Sequence, residues 1–343
     1  MNAPGPQQRS AEQASGTVAR ARIVGTGSYL PERILTNAEL EKMVDTSDEW
    51  IVTRSGIRQR HIARPDEATS DMGAIAARNA LSAAGVTPED VQLIIVATVT
   101  PDMPFPSTAC LIQHAIGAKN AVCFDLEAAC SGFLYSLEVA RRFIESGVVK
   151  TALVLGAEKL SAVTDWTDRA TCILFGDGAG AVVLQACGEG HGVLTTVMGS
   201  DGGLSDLLKL PAGGSRMPAT HETIDARLHY MKMAGREVFK HAVTRMSEAA
   251  QRALEQCGLT MNDITWIIPH QANSRIIEAI GDRLGVPAGH VYMNLERTGN
   301  MSAATIPVAL DEVVRAGKVK PGDKLLLVAF GGGFTWAATV LEW

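Results

Sequence analysis

Three side chains with complementary chemistry stand far apart in this chain: Cys130, His270 and Asn300. A cysteine can act as a nucleophile. An imidazole and a carboxamide can donate hydrogen bonds to a carbonyl oxygen that gains charge. Each residue alone has a plainer reading: a buried thiol, a structural histidine, a turn-forming asparagine. Position is what sets them apart. Cys130 follows the apolar run Ala121–Leu126, which reads as a buried strand, and opens Ser131–Ala140, which reads as a helix. A thiol at that junction is expected at the positive end of the helix dipole, where a thiolate is favoured. Small neighbours (Ala128, Ala129, Ser131, Gly132) leave room for a substrate. His270 follows the strand-like Trp266–Pro269, and Asn300 lies in Arg297-Thr-Gly-Asn-Met-Ser. Gly331-Gly332-Gly333 is a fourth element. It reads plainly as a tight turn, or functionally as bare backbone whose N–H groups can meet an oxyanion.

These residues need scaffolding, and the chain repeats itself to provide it. Residues 80–95 match residues 253–268 at a shift of 173, with identities that include Leu81/Leu254, Gly85/Gly258, Asp90/Asp263 and Ile95/Ile268. Each copy reads as a helix end, a glycine stop and a buried strand. Helices are expected next at 107–117 and 272–284, then strands at 121–126 and 290–295, then helices near Cys130 and just after Asn300. Apolar strands at Thr151–Ala157 and Lys324–Phe330 lead into the glycine-rich runs at 175–180 and 330–334, and each run into a further strand. An ordered series of such matches argues for internal duplication. The pattern predicts an α/β protein with two βαβαββ halves, each with a mostly parallel sheet, dividing near 185–192. The polar stretch 199–226 reads as a surface excursion. In open α/β sheets ligands bind beyond the carboxyl ends of strands, so the three side chains converge if the halves pack about a pseudo-twofold axis.

Composition narrows the class. The 343 residues suit two similar halves, and 5% aromatic content with a net charge of -6 disfavours nucleic acid as a partner. The six cysteines form no C-x-x-C pair and the eight histidines show no ligand spacing, so neither disulfides nor a metal site is expected. Residues 1–17 read as a flexible tail rather than a targeting segment, no apolar run is long enough to span a membrane, and a cytoplasmic location is expected. Gly176-Asp-Gly-Ala-Gly180 has the wrong spacing for a dinucleotide fingerprint and runs into the strand-like Ala181–Leu184, which excludes NAD. Lys232, Arg236 and Lys240 recur at i, i+4, i+8 on an expected helix, with Arg245 and Arg275 nearby. That cluster reads either as a solvated face or as a docking patch for an acidic partner.

The long motifs Gly25-Thr-Gly-Ser-Tyr-Leu-Pro, Asp45–Arg58, Ala128-Ala-Cys-Ser-Gly-Phe, Phe175–Ala181, Pro269-His-Gln-Ala-Asn, Gly299-Asn-Met-Ser and Phe330–Trp336 occur in the order found in β-ketoacyl-acyl carrier protein synthase III, which residues 21–343 resemble. The resemblance implies a thiolase-like fold in five layers, α-β-α-β-α, with halves at 18–189 and 190–343. It implies a triad of Cys130, His270 and Asn300 and an oxyanion hole from the N–H groups of Cys130 and Gly332. Trp50, Arg54, Arg169, Gly235 and Asn273 match coenzyme A-binding positions. Phe105 matches a residue that closes the acyl pocket of a dimer partner, and Lys240 and Arg275 match the carrier-protein docking surface. The implied reaction is decarboxylative condensation of an acyl-CoA, acetyl-CoA foremost, with malonyl-acyl carrier protein in a homodimer needing no cofactor. A condensing enzyme of secondary metabolism with another primer is the nearest alternative. A papain-like cysteine hydrolase shares the order Cys, His, Asn but lacks C-G-S-C-W here. A carrier-protein scaffold is the third alternative. Departures from the family pattern are Ser131 for Ala, Thr298 for His, and extra residues around 212–222.

Overall fold

The computed structural model describes residues 20–188, 191–287 and 289–343; the tail read at 1–17 lies outside them. The first half runs β1 (Arg20–Tyr29), β2 (Arg33–Thr36), α1 (Asn37–Leu40), α2 (Asp48–Ser55), β3 (Gln59–Ile62), α3 (Thr69–Ala84), β4 (Leu93–Ala97), α4 (Thr108–Ile116), β5 (Val122–Leu126), α5 (Gly132–Glu145), β6 (Thr151–Lys159), α6 (Arg169–Cys172) and β7 (Asp177–Cys187). The second runs β8 (Gly192–Ser200), β9 (Leu208–Lys209), α7 (His221–Asp225), β10 (Lys232–Met233), α8 (Gly235–Cys257), β11 (Trp266–Pro269), α9 (Ser274–Leu284), α10 (Leu295–Thr298), α11 (Thr305–Arg315), β12 (Lys324–Gly331) and β13 (Thr335–Glu342).

Strand alternation explains the layers. Successive strand side chains point to opposite faces, so a strand buried on both sides must be apolar throughout. In β4, Leu93 and Ile95 face one core while Ile94 and Val96 face another. In β12, Leu325, Leu327 and Ala329 share the core of Leu93 and Ile95, and Leu326, Val328 and Phe330 face a third. The shared core also holds Phe133, Leu134 and Leu137 of α5 and Ile306, Leu310 and Val313 of α11. These two helices therefore lie between the sheets. Alanines of α3 and Ile112 of α4 cover the outer face of the first sheet; Ala249 and Ala253 of α8 and Ile280 of α9 cover that of the second. The order is α-β-α-β-α.

Both sheets are mixed rather than mostly parallel. The first has order β1-β7-β6-β4-β5, with β4 parallel to β5 and β6 and the rest antiparallel. The second has order β11-β12-β13-β8, with only β11 and β12 parallel. In each, the closing strand returns beside its predecessor without a crossover helix, which makes that pair antiparallel. The strand expected at 290–295 is reduced to one bridge, Ile267 with Val291. Gln271 ends it: its Nε2 donates to Tyr292 O (3.1 Å), and its Oε1 accepts from Asn294 N (3.0 Å) and Leu295 N (3.3 Å). The glycines at 178 and 180 lie inside β7, not before it. Lys232 is not on a helix either. It sits in β10, α8 begins at Gly235, and its ammonium pairs with Asp165 at 3.5 Å. Ala234 N donates to Leu207 O (2.8 Å), which commits this segment to β9.

Candidate active site

Cys130 occupies a short turn, Ala129–Ser131, between β5 and α5, and Ala129 has a left-handed φ of 45°. Thr335 of the second half holds this turn at both ends. Its Oγ1 donates to Ala128 O (2.8 Å), and its carbonyl accepts from Ser131 Oγ (3.1 Å). Ser131 thus supplies a tie between the halves. Gly331 lies so close that a Cβ there would stand 2.5 Å from Cys130 N. Only bare backbone fits against Cys130. The sequence reading expected the dipole of α5 to favour the thiolate. Burial wins instead, pushing the thiol up to about 12, with the charges of Glu158 and Glu127 adding to it and the Ser302 hydroxyl opposing. Cys130 therefore rests as a thiol and needs a base.

His270 continues the β11–β12 register, its N–H donating to Val328 O (2.7 Å). Its ring is 3% exposed, and burial pushes the imidazole down to about 3, so it is neutral at working pH. His270 Nδ1 lies 2.7 Å from Thr305 Oγ1, which is 3.0 Å from Ser302 O. The Thr305 hydroxyl has one hydrogen. That hydrogen sets the tautomer: donated to Ser302 O it makes Nδ1 the N–H and leaves Nε2 bare, and donated to Nδ1 it leaves Nε2 protonated as a donor. Asn300 is clamped by the first half: its N–H donates to Leu174 O (2.9 Å) and its carbonyl accepts from Gly176 N (3.0 Å). Asn300 Oδ1 accepts from Ser302 N (2.9 Å), which turns the amide NH2 outward as a donor.

Cys130, His270, Asn300 and Gly331–Gly333 line one cavity of about 990 Å³. Its mouth carries Trp50, with Arg54 and Arg169 guanidinium groups over the indole at 5.3 and 5.0 Å. Gly235 lines the wall, as does Asn273. Both ends of the Asn273 amide are engaged, capping α9 through Arg275 N (2.9 Å) and donating to Arg54 O (2.9 Å). Arg236 and Arg275 reach the mouth from α8 and α9, and exposed Lys240 lies one turn beyond Arg236. Arg245 is engaged elsewhere, over Trp336 and paired with Glu248. Phe105 is 84% exposed and outside this cavity. The stretch expected as a surface excursion supplies Ser205 and Leu208–Leu210 to the cavity wall. It is anchored by Arg227, which ion-pairs with Asp165. Contributors that the sequence reading left without roles are Ser302, which lines the cavity, and Thr305 and Thr335, which support its side chains from behind. Nothing in their types marks them; only the left-handed φ of 46° at Ser302 does.

The five layers and the cavity between facing strand ends are those of a thiolase-like enzyme. Residues 124–202 match the family model described as 3-oxoacyl-[acyl-carrier-protein] synthase III, and residues 254–343 match its C-terminal model. A β-ketoacyl-[acyl-carrier-protein] synthase III of Caldanaerobacter subterraneus subsp. tengcongensis is 56% identical, over 94% of this chain and 98% of its own. The crystal structure of 3-oxoacyl-[acyl-carrier-protein] synthase III from Aquifex aeolicus superposes with a TM-score of 0.87 at 48% identity, covering 94% of this chain and all of that one. The priming β-ketosynthase of the R1128 polyketide pathway superposes at 0.88 with 39% identity, covering 95% and 97%. The chain belongs to the β-ketoacyl-acyl carrier protein synthase III family.

Proposed function

We propose that this acyltransferase condenses an acyl-CoA primer, acetyl-CoA foremost, with malonyl-acyl carrier protein through a Cys130–His270–Asn300 triad. The observation that carries the reading is the meeting of these side chains and the glycine turn in one cavity. Cys130 attacks the primer thioester, and the N–H groups of Cys130 and Gly332 hold the oxyanion as coenzyme A leaves. Malonyl-acyl carrier protein then enters. His270 Nε2–H and the Asn300 NH2 donate to its thioester carbonyl and stabilise the enolate left by departing carbon dioxide. The carbanion attacks acyl-Cys130 and releases 3-oxoacyl-acyl carrier protein. Decarboxylation drives the bond formation, so the step calls for no redox or metal group.

The stacked Arg54, Trp50 and Arg169 suit an adenine and its phosphates. Lys240 and Arg275 form the carrier-protein surface, and Phe105 closes the pocket of a second copy in a homodimer. Among the described residues no helix is long and apolar enough to cross a membrane, and the reaction belongs to the cytoplasm. Intact-mass spectrometry after incubation with mixed acyl-CoAs tests the reading. One acyl adduct, on Cys130, is expected; an adduct elsewhere, or none, would overturn it. The preferred adduct also separates an acetyl primer from the longer or branched primers of secondary metabolism.

A further inference from the structure

The mechanism leaves one question: where the Cys130 proton goes. Glu158, at the end of β6, is fully buried and unused by the triad. Its carboxyl accepts from Thr100 Oγ1 (2.7 Å), Thr98 Oγ1 (3.2 Å) and Val99 N (3.1 Å). The turn of Ser302 packs on β6, where Gly156 meets Ala303, and Ser302 lines the cavity with Cys130, so its hydroxyl neighbours both the carboxyl and the thiol. That hydroxyl is buried and bonded to neither. A hydroxyl with no fixed partner is free to turn between the two groups, accepting from the thiol while donating to the carboxylate.

We infer that Glu158 is the base for Cys130, taking its proton through Ser302. In the forward step the thiol S–H gives its proton to Ser302 Oγ, and the Ser302 proton passes to the Glu158 carboxylate. The Cys130 sulfur then forms its bond to the acyl carbon, the bond from that carbon to the coenzyme A sulfur breaks, and Glu158 returns the proton along the same path to the departing thiolate. The products are acyl-Cys130, the free thiol and the Glu158 carboxylate. His270 is the rival acceptor. Proton transfer to the buried neutral imidazole creates two charges, whereas transfer to a carboxylate only relocates one. Burial makes this contrast steeper: it weakens His270 as a base and raises the Glu158 carboxyl to about 7.

The relay rests on the reading of Cys130 as nucleophile. Facing Cys130 are Glu127 before its turn, Glu158 and Ser302, with His270 on the same cavity. Facing Glu158 are Thr98, Val99 N–H and Thr100 after β4, and Ser302. Lys159 turns away to the carbonyls of Arg64, Pro65 and Glu67. The test is the pH profile of Cys130 alkylation by iodoacetamide, followed by peptide mass spectrometry, in the wild type, Glu158→Gln, Ser302→Ala and Glu158→Asp. At neutral pH Glu158→Gln and Ser302→Ala are expected to react at least about tenfold more slowly, a profile moved up by about one pH unit, although loss of the Glu158 charge alone would ease ionisation of the thiol and speed the Gln variant. Their rates should rejoin the wild type in strong base, and Glu158→Asp should recover part of the loss. Unchanged profiles would overturn the relay, as would a loss of equal size at every pH, which marks a structural role. If wild-type Cys130 takes no acyl group from acyl-CoA, the nucleophile reading fails instead.

Discussion

The turn that holds Cys130 and the turn that follows Asn300 have the same backbone and opposite duties. Ala129–Ser131 precedes α5 and Ser302–Ala304 precedes α11, each a single helical turn, displaced by the 173 residues of the repeat. Their first residues, Ala129 and Ser302, adopt left-handed φ values of 45° and 46°. The strand end from the opposite half presses on each. Gly331 meets Cys130 N, and Gly156 meets Ala303, whose carbonyl oxygen would stand 2.2 Å from an added Cβ. Duplication thus supplied one turn twice. In the first copy its second residue is Cys130, the proposed nucleophile. In the second copy that place is Ala303, and the preceding Ser302 organises the site: its N–H orients Asn300, its carbonyl neighbours Thr305 and its hydroxyl faces Cys130. Glu158 is the repeat counterpart of Gly331, so one strand end offers bare backbone and the other a carboxylate.

The sharpest way to separate the two turns is Cys130→Ser. Acylation should fall on the order of 10³-fold or more, while malonyl decarboxylation, which belongs to the other turn, survives. Assays of both half-reactions check this. Decarboxylation by that variant should stay flat from about pH 8 to 5: His270, with its pKa pushed down to about 3, is neutral throughout, and protonation costs it only below that value. A fall centred near an ordinary histidine pKa would break the assignment. Next in size is the pair Gly331→Ala and Gly156→Ala. Each forces a side chain into backbone and should cost about 1–3 kcal/mol of stability in denaturant titrations. Among the surviving enzyme, the first should slow acylation more and the second decarboxylation more. Equal effects on both half-reactions would end the division of duties. The smallest effect concerns the mouth shared by the halves. Lys240→Ala with Arg275→Ala should raise the KM for carrier protein up to about tenfold, more so at low salt, with acyl-CoA loading altered far less. Matching losses in both steps would remove these residues from docking.

Local pattern carried much of this into view. The strand that ends at Leu126, the helix after it, the 173-residue repeat and the glycine turn all follow from periodicity and punctuation within short windows. What stayed hidden depended on partners. The strand expected at 290–295 gave way because Gln271, distant in sequence, captured its backbone groups. Lys232 had helical spacing from Arg236 but was drawn into β10 by pairing with β9. Glu158 closes an apolar strand, where a carboxylate reads as a solvated end; only the threonines that follow β4 show it buried.

The amino-acid string alone determined the family and the duplicated α/β layout and singled out Cys130, His270 and Asn300 as candidates, because motifs and hydrophobic periods are short-range properties. Tertiary packing alone decided protonation and orientation: that Cys130 rests as a thiol, that His270 is neutral, and that Asn300 presents its NH2. Those properties depend on how much water each group loses and on which hydrogen bonds the opposite half offers, and neither quantity exists until the two sheets close on α5 and α11.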